Sequence, residues 1–539
     1  MGSTPRGVVA AGHGKTAQAA RTILRQGGNA FDAALAALAC ACVVEPVLAS
    51  LGGGGYLLAR TEDGRSRIYD FFVQTPRNKQ PRADFFPIFA DFGTARQEFH
   101  IGKGSVAVPG LVRGMFAICR DLGTLSMRDI LAPAIFRARE GVSVNEFQAY
   151  IFSIVGDICI ATPEAATIYG RRREEGRGRN SDTEMRPIAQ GEILRQPALA
   201  DTLESLAIEG DDLFYRGEIA QAIARGMQDD EGHLTREDLE QYRVILREPL
   251  ELIYRGQRLF TNPPPSSGGI LIAFALKLLE FMASGREIDG SNAFDSVNRL
   301  ERLARVMDLT SQARVEAQID GKGPHLDQRL LHPEYLFAYR NRILSAPRAR
   351  RGTTHISIMD KAGNVASLSV SNGEGAGYVV PGTGIMLNNM LGESDLNPQG
   401  FHRWPTACRM TSMMAPTLIE GPVVNRGGEP PRAGIIATGS GGSNRIRSAI
   451  LQVLLNIIDF RMGIQDAVQA PRIHHEDGLL SMEGGFDEGN IARLSNLFPH
   501  YHAWPGRNLF FGGAHTVLWD GNRFEGAGDT RRGGVSLLV

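Results

Sequence analysis

Cysteine is scarce and irregularly placed: Cys40, Cys42, Cys119, Cys159 and Cys408 are all that 539 residues contain. An odd count gives no disulfide framework, and no pair has zinc-site spacing, so these residues read as small buried hydrophobes. Excess charge is also missing. Lys and Arg total 58 against 59 Asp and Glu, a net charge of −1, and the pI is near 6.9. This balance gives no electrostatic reason to expect nucleic acid or an anionic membrane as partner; it suits a small, near-neutral substrate. The longest uncharged apolar run, Ala33 to Val44, is too short to span a bilayer. Met1 to Arg6 lacks the apolar core of a signal peptide, so a cytoplasmic location is expected, or a periplasmic or secreted one if a leader has been removed. Gly14-Lys15-Thr16 resembles the end of a phosphate-binding loop, but Val9 stands where that loop needs its first glycine. His474-His475-Glu476-Asp477 has a metal-like look but reads as a structural histidine pair.

What is present centres on RGTTHISIMDKAGNVASLSVSNGEGAG, which begins at Arg351. Alternation from Thr354 to Met359, a turn over Lys361 to Asn364 and a second alternating run from Val365 to Ser369 predict a hairpin headed by Thr353. Gly352/Thr353 reads as a self-cleavage junction. A threonine that becomes a chain terminus gains an amine titrating near ~7.7 to 8.0, which can serve as its own base. Gly352 permits the contorted turn that such a cut needs. Elsewhere, helices are predicted from Thr16 to Gln26, from Asn29 as N-cap to about Val44, and over Ile270 to Phe281, Leu300 to Leu309 and Asn444 to Phe460. Gly52 to Gly55 reads as a tight turn, Leu250 to Phe260 as one strand, and Thr235 as the start of a capping motif closed by a glutamate. Thr438 to Ser443 is a glycine-rich turn at a helix start, which aims free N–H groups at one point and suits an oxyanion.

TTHISIMDKAGN, LNN at 387 to 389, APT at 415 to 417 and TGSGGSNRI from Thr438 together resemble the small subunit of the gamma-glutamyltransferase family. QGGNAFDAALA from Gln26, VEPVLASLGGGGYLL from Val44, VPGLVRGM from Val108, LAPAIFRAREG from Leu131 and PPPSSGG from Pro263 resemble its large subunit, in the same order. The resemblance implies an α+β fold, the four-layer αββα sandwich of N-terminal nucleophile hydrolases. Residues 1–352 and 353–539 would be two subunits of one domain, a self-derived heterodimer acting on a small-molecule amide with no metal or organic cofactor. Thr353 would be the nucleophile, Thr354 its hydrogen-bonding support, and the amides of Gly442 and Ser443 the oxyanion hole. Asn372 and Glu393 match positions that contact the substrate amine, and Ser412 matches one that sits near its carboxylate. The carboxylate-clamping arginine is replaced by Phe72, and two further polar positions by Met390 and Met413. The donor would therefore differ from glutathione or use a substitute such as Arg77 or Arg409. Alternatives are the same nucleophile acting on another small amide, as in acylases or oxamate amidohydrolase, or a non-catalytic scaffold.

Overall fold

The computed structural model describes residues 5–91, 96–172, 185–228, 231–283, 294, 296–316, 330–332, 335–336, 353–397, 399–423 and 432–539. Gly352, and with it one side of the expected cut, lies outside the described residues. Two antiparallel sheets form the middle of the fold. The seven-stranded sheet runs in the order Ile245–Arg247, Ser66–Phe71, Gly54–Arg60, Val365–Ser371, Thr354–Asp360, Gly7–Ala11, Val535–Leu538. The six-stranded sheet runs Leu250–Tyr254, Gln257–Thr261, Thr417–Val423, Arg432–Thr438, Thr516–Trp519, Phe524–Ala527.

Strand alternation assigns the layers. Ile356 and Ile358 pack into one core with the helices Gly14–Arg25 and Ala30–Val44. Met359, on the other face, joins Leu418, Ile436 and Val517 of the second sheet and the apolar side of Ser267–Ala283, Val297–Glu316 and Arg445–Ile458. The order is thus helices, sheet, sheet, helices.

Local chemistry explains several of these elements. Ala30–Val44 is Ala, Leu and Cys on every side, and all of it is buried. Asn29 and Asp32 close its first turn reciprocally as a capping box. The hairpin at the sheet centre turns at Gly363, whose φ of 94° only glycine adopts freely. At this turn the Asp360 carboxylate accepts from Ala362 N, Asn364 N and Asn364 Nδ2, and from Ala30 N of the buried helix at 2.9 Å. The central strand is thereby tied to the helix beneath it.

Some expectations are corrected. Gly54 and Gly55 belong to a strand, not a turn. Even there, a side chain at Gly55 would meet Ser369 O at 2.4 Å, so the close backbone approach is real. The run from Leu250 is a hairpin turning at Arg255 and Gly256. The carboxylate closing the Thr235 cap is Asp238, not a glutamate. The edge strand Val535–Leu538 was not foreseen; its pattern is too short to read without its partner Gly7–Ala11. His474 bonds Ser448, and His475 lies 3.6 Å from Asp308, setting Ile473–Glu476 against neighbouring helices. Among the described residues, no helix is long and apolar enough to cross a membrane.

Buried histidines give the fold an acid limit. Burial pushes His515 down to about 4, with Arg532 adding to the effect and Asp529 opposing it. The unfolded chain takes up this proton near pH 6.5, so stability should fall as pH drops from about 6.5 to 4, by up to about 3 kcal/mol for this one group. Burial opposes the Asp529 charge, but Arg472 and Arg531 hold that carboxylate at about 2, so its contribution is lost only below about pH 4. A series of thermal melts should therefore show two acid stages, and His515→Asn should flatten the upper one.

Candidate active site

Thr353 immediately precedes the central strand Thr354–Asp360 and is 3% exposed. Its carbonyl accepts from Arg532 Nη1 at 3.1 Å. The backbone of Gly441 lies against the same carbonyl; a side chain there would reach the oxygen at 2.0 Å, so glycine is required. Thr354 pairs with Val370, and this register sets Thr353 opposite Ser371. Ser371 is buried, and its Oγ accepts from Gly373 N at 3.1 Å. Alternation turns Thr353 toward the second sheet and Thr354 toward the helices.

Thr354 accordingly does not act where it was expected. Its Oγ1 donates to Glu45 Oε2 at 3.0 Å, and Thr16 Oγ1 donates to the other oxygen at 2.7 Å. Glu45 directly follows the buried helix Ala30–Val44. Burial raises its pKa, while the two hydroxyls and the positive charge of Arg532 oppose that rise. The Thr354 hydroxyl is thus linked to Thr353 through the Glu45 carboxylate, whose charge acts on the Arg532 that binds the Thr353 carbonyl.

The glycine-rich turn lies alongside. Ser440–Gly441 pairs with Gly513–Ala514, Gly442 has φ 126°, and Ser443 is left-handed at φ 50°. The following helix makes its first bonds from Arg445 N to Gly442 O and from Ile446 N to Ser443 O. The N–H groups of Gly442 and Ser443 precede these bonds and are not spent on the helix. The Ser443 hydroxyl bonds the Asp395 carboxylate, which stabilises the strained residue.

The expected donor pocket is only partly assembled. Asn372 is fully buried, with neither amide atom partnered among the described residues. Glu393 fills the space before Gly373, where a side chain would come within 2.2 Å of its Oε1. Ser412 Oγ accepts from Met414 N at 3.0 Å, within its own turn. Phe72 is buried, stacks on Tyr56 with ring centroids 5.6 Å apart, and shares one apolar core with Met390 and Met413. Neither substitute arginine is available. Arg409 is committed to Asp70, Tyr242 OH, Arg243 O and the carbonyl of Phe72. Arg77 is held by Glu237, Asp238 and Gln241.

The gamma-glutamyltranspeptidase family pattern matches residues 16–539 of this chain. The chain belongs to the gamma-glutamyltranspeptidase family. It is 31% identical over 509 residues to the acylase ACY 1 proenzyme of Pseudomonas sp. (strain V22), covering 91% of this chain and 86% of that protein. It is 29% identical over 525 residues to the glutathione hydrolase proenzyme of Escherichia coli (strain K12), covering 91% and 84%. Cephalosporin acylase from Bacillus halodurans superimposes with a TM-score of 0.81 at 24% identity, covering 99% of this chain and 96% of that one. The fold is that of the N-terminal nucleophile hydrolases, and the chain is an enzyme of this hydrolase and transferase family.

Against this family background, the groups that sequence reasoning missed are Glu45, Ser371, Asp395 and Arg532. Ser371 was within reach, because the hairpin turn fixes the register. Glu45, a lone acid after a buried and mostly apolar helix, was a weaker signal. Arg532, 179 residues from its partner Thr353, carried no local signal.

Removing Glu45 leaves two buried hydroxyls without their acceptor and Arg532 with one anion fewer. Glu45→Ala should cost about 3 kcal/mol in a denaturant titration and Glu45→Gln about 1 kcal/mol.

Proposed function

We propose that this chain cuts itself between Gly352 and Thr353 and then works as a threonine amidohydrolase and acyltransferase. The observation that carries this reading is Thr353 itself: buried at the head of the central strand, its carbonyl held by Arg532 and passed closely by Gly441 of the glycine-rich turn. In the cut, the Thr353 hydroxyl adds to the Gly352 carbonyl and displaces its own nitrogen. Water then hydrolyses the resulting ester, leaving a carboxylate on Gly352 and a free amine on Thr353.

In turnover, that amine takes the proton of the Thr353 hydroxyl as the oxygen attacks the substrate carbonyl. The Gly442 and Ser443 amides hold the developing oxyanion. The ammonium returns its proton to the departing amine, and water or an acceptor amine releases the acyl group from Thr353. Arg532 lies one carbonyl away from the new terminus, and its positive charge disfavours the ammonium form, keeping the amine ready to accept a proton.

Two features support a lasting heterodimer of 1–352 and 353–539. The seven-stranded sheet places Gly7–Ala11 between Thr354–Asp360 and Val535–Leu538, so strands from both sides of the cut interleave. The six-stranded sheet joins Gln257–Thr261 to Thr417–Val423 in the same way. The proenzyme names of the curated relatives agree with this reading.

For the substrate, the pocket favours an acyl amide other than glutathione. The amine end retains Asn372 and Glu393. The carboxylate end presents Phe72, Met390 and Met413, and a phenyl ring cannot replace a forked guanidinium.

Two outcomes test these statements. A denaturing gel of purified protein should show two bands that Thr353→Ala replaces with one, and the smaller fragment should begin Thr-Thr-His. A single wild-type band persisting through incubation would instead indicate an inert scaffold. In steady-state assays, glutathione should give kcat/KM about 100-fold below the best acyl amide, the value of a lost charge-assisted bidentate contact; equal values would return glutathione hydrolysis as the activity.

A further inference from the structure

Arg445 directly follows Gly442, Ser443 and Asn444 and opens the helix Arg445–Ile458. It is 1% exposed, yet Nε, Nη1 and Nη2 all lack a hydrogen-bond partner among the described residues. The other deeply buried arginines show how unusual this is. Arg472 binds Asp529 and two carbonyls, Arg447 binds Glu476 and Ser311, and Arg531 binds Glu483 and Asp529. A guanidinium carries five donors, and buried polar groups are ordinarily paired.

Three acids act on Arg445 without hydrogen-bonding it: Glu476 holds Arg447 and His474, Asp395 holds Ser443, and Glu374 lends its charge to Arg532 as well. One face of the Arg445 guanidinium is covered by the Phe510 ring at 5.0 Å. Arg532, the residue on the Thr353 carbonyl, also has an unpartnered Nε. Burial, with Arg532 adding to it and Glu476 opposing, lowers Arg445 to about 9, which leaves it charged at neutral pH.

We infer that Arg445, with Arg532, forms a carboxylate-binding subsite of the nucleophile's pocket that takes a carboxylate of the substrate through charge-assisted hydrogen bonds. This rests on the proposed amidohydrolase reading and supplies the anion recognition that the Phe72 side of the pocket lacks. The carboxylate belongs either to the acyl part, as in the monoamide of a dicarboxylic acid, or to the amine part, as in an N-acylated amino acid.

The test compares, on processed wild-type enzyme, a glutaric monoamide and an N-acylglycine, each beside an isostere whose carboxylate is a carboxamide. In one of the two arms the carboxylate should raise kcat/KM about 10- to 100-fold, mainly through KM. Arg445→Met should erase that preference and Arg445→Lys restore part of it. Calorimetric titration with glutarate and with glutaramide gives a readout independent of turnover, and glutarate should bind more tightly by a similar factor. If none of these amides is turned over, the amidohydrolase reading fails, while the titration still decides the subsite. If Arg445→Met does not fold, the wild-type comparisons decide it. Equal kcat/KM in both arms together with equal binding of glutarate and glutaramide would overturn the subsite.

Discussion

The hydrogen bond from Arg532 to the Thr353 carbonyl organises the acids and glycines around it. It places a full positive charge inside the protein, where desolvation is costly unless anions stand nearby. The anions present are Glu45, Glu374 and Asp529, whose charges favour the cationic arginine against its burial. Glu45 in turn needs donors, and Thr16 and Thr354 provide them. The glycine-rich turn must pass the same carbonyl, which is why position 441 has no room for a side chain. This contact thus ties together the acid that follows the buried helix, the hydroxyls that satisfy it, and the glycine at position 441.

This arrangement has to exist before any cut is made. Strand pairing locks the register on both sides of Thr353: Gly7↔Asp360 and Ala11↔Ile356 on one side, Thr354↔Val370 and Ser371↔Gly54 on the other. Because a one-residue slip would exchange the two faces, Thr353 cannot move toward the helices without dismantling both cores. Strands and both cores draw on residues from either side of position 353.

Elements defined by local chemistry were legible in the sequence. Asn29 as cap, the hairpin turning at Gly363 and the helix after the glycine-rich turn all depend on neighbours a few residues away. Where pairing partners lie far apart in sequence, the reading failed or was silent. Val535–Leu538 becomes a strand only because Gly7–Ala11 accepts it, and Arg532 becomes part of the site only because the last strands return beneath Thr353. Thr354 was assigned by resemblance to direct support of the nucleophile, but alternation alone turns it to the opposite face. Asn372 and Glu393 do fall around the same turn at Gly373, although no hydrogen bond joins them.

The replacement at position 72 shows why the pocket's carboxylate side cannot be restored by one residue. Phe72 faces the space between the sheets, stacked on Tyr56 and sharing a core with Met390 and Met413. Its own carbonyl is bound by Tyr242 and Arg409, and Arg409 is in turn fixed by Asp70. The nearest guanidinium is thus spent on holding the backbone of the residue that replaced the clamp. A charge introduced at position 72 would enter an apolar cluster with no free anion beside it, whereas a phenyl ring adds to burial there. The phenyl ring and its core packing therefore go together, and among the buried arginines it is Arg445 that has all three side-chain nitrogens unpartnered among the described residues.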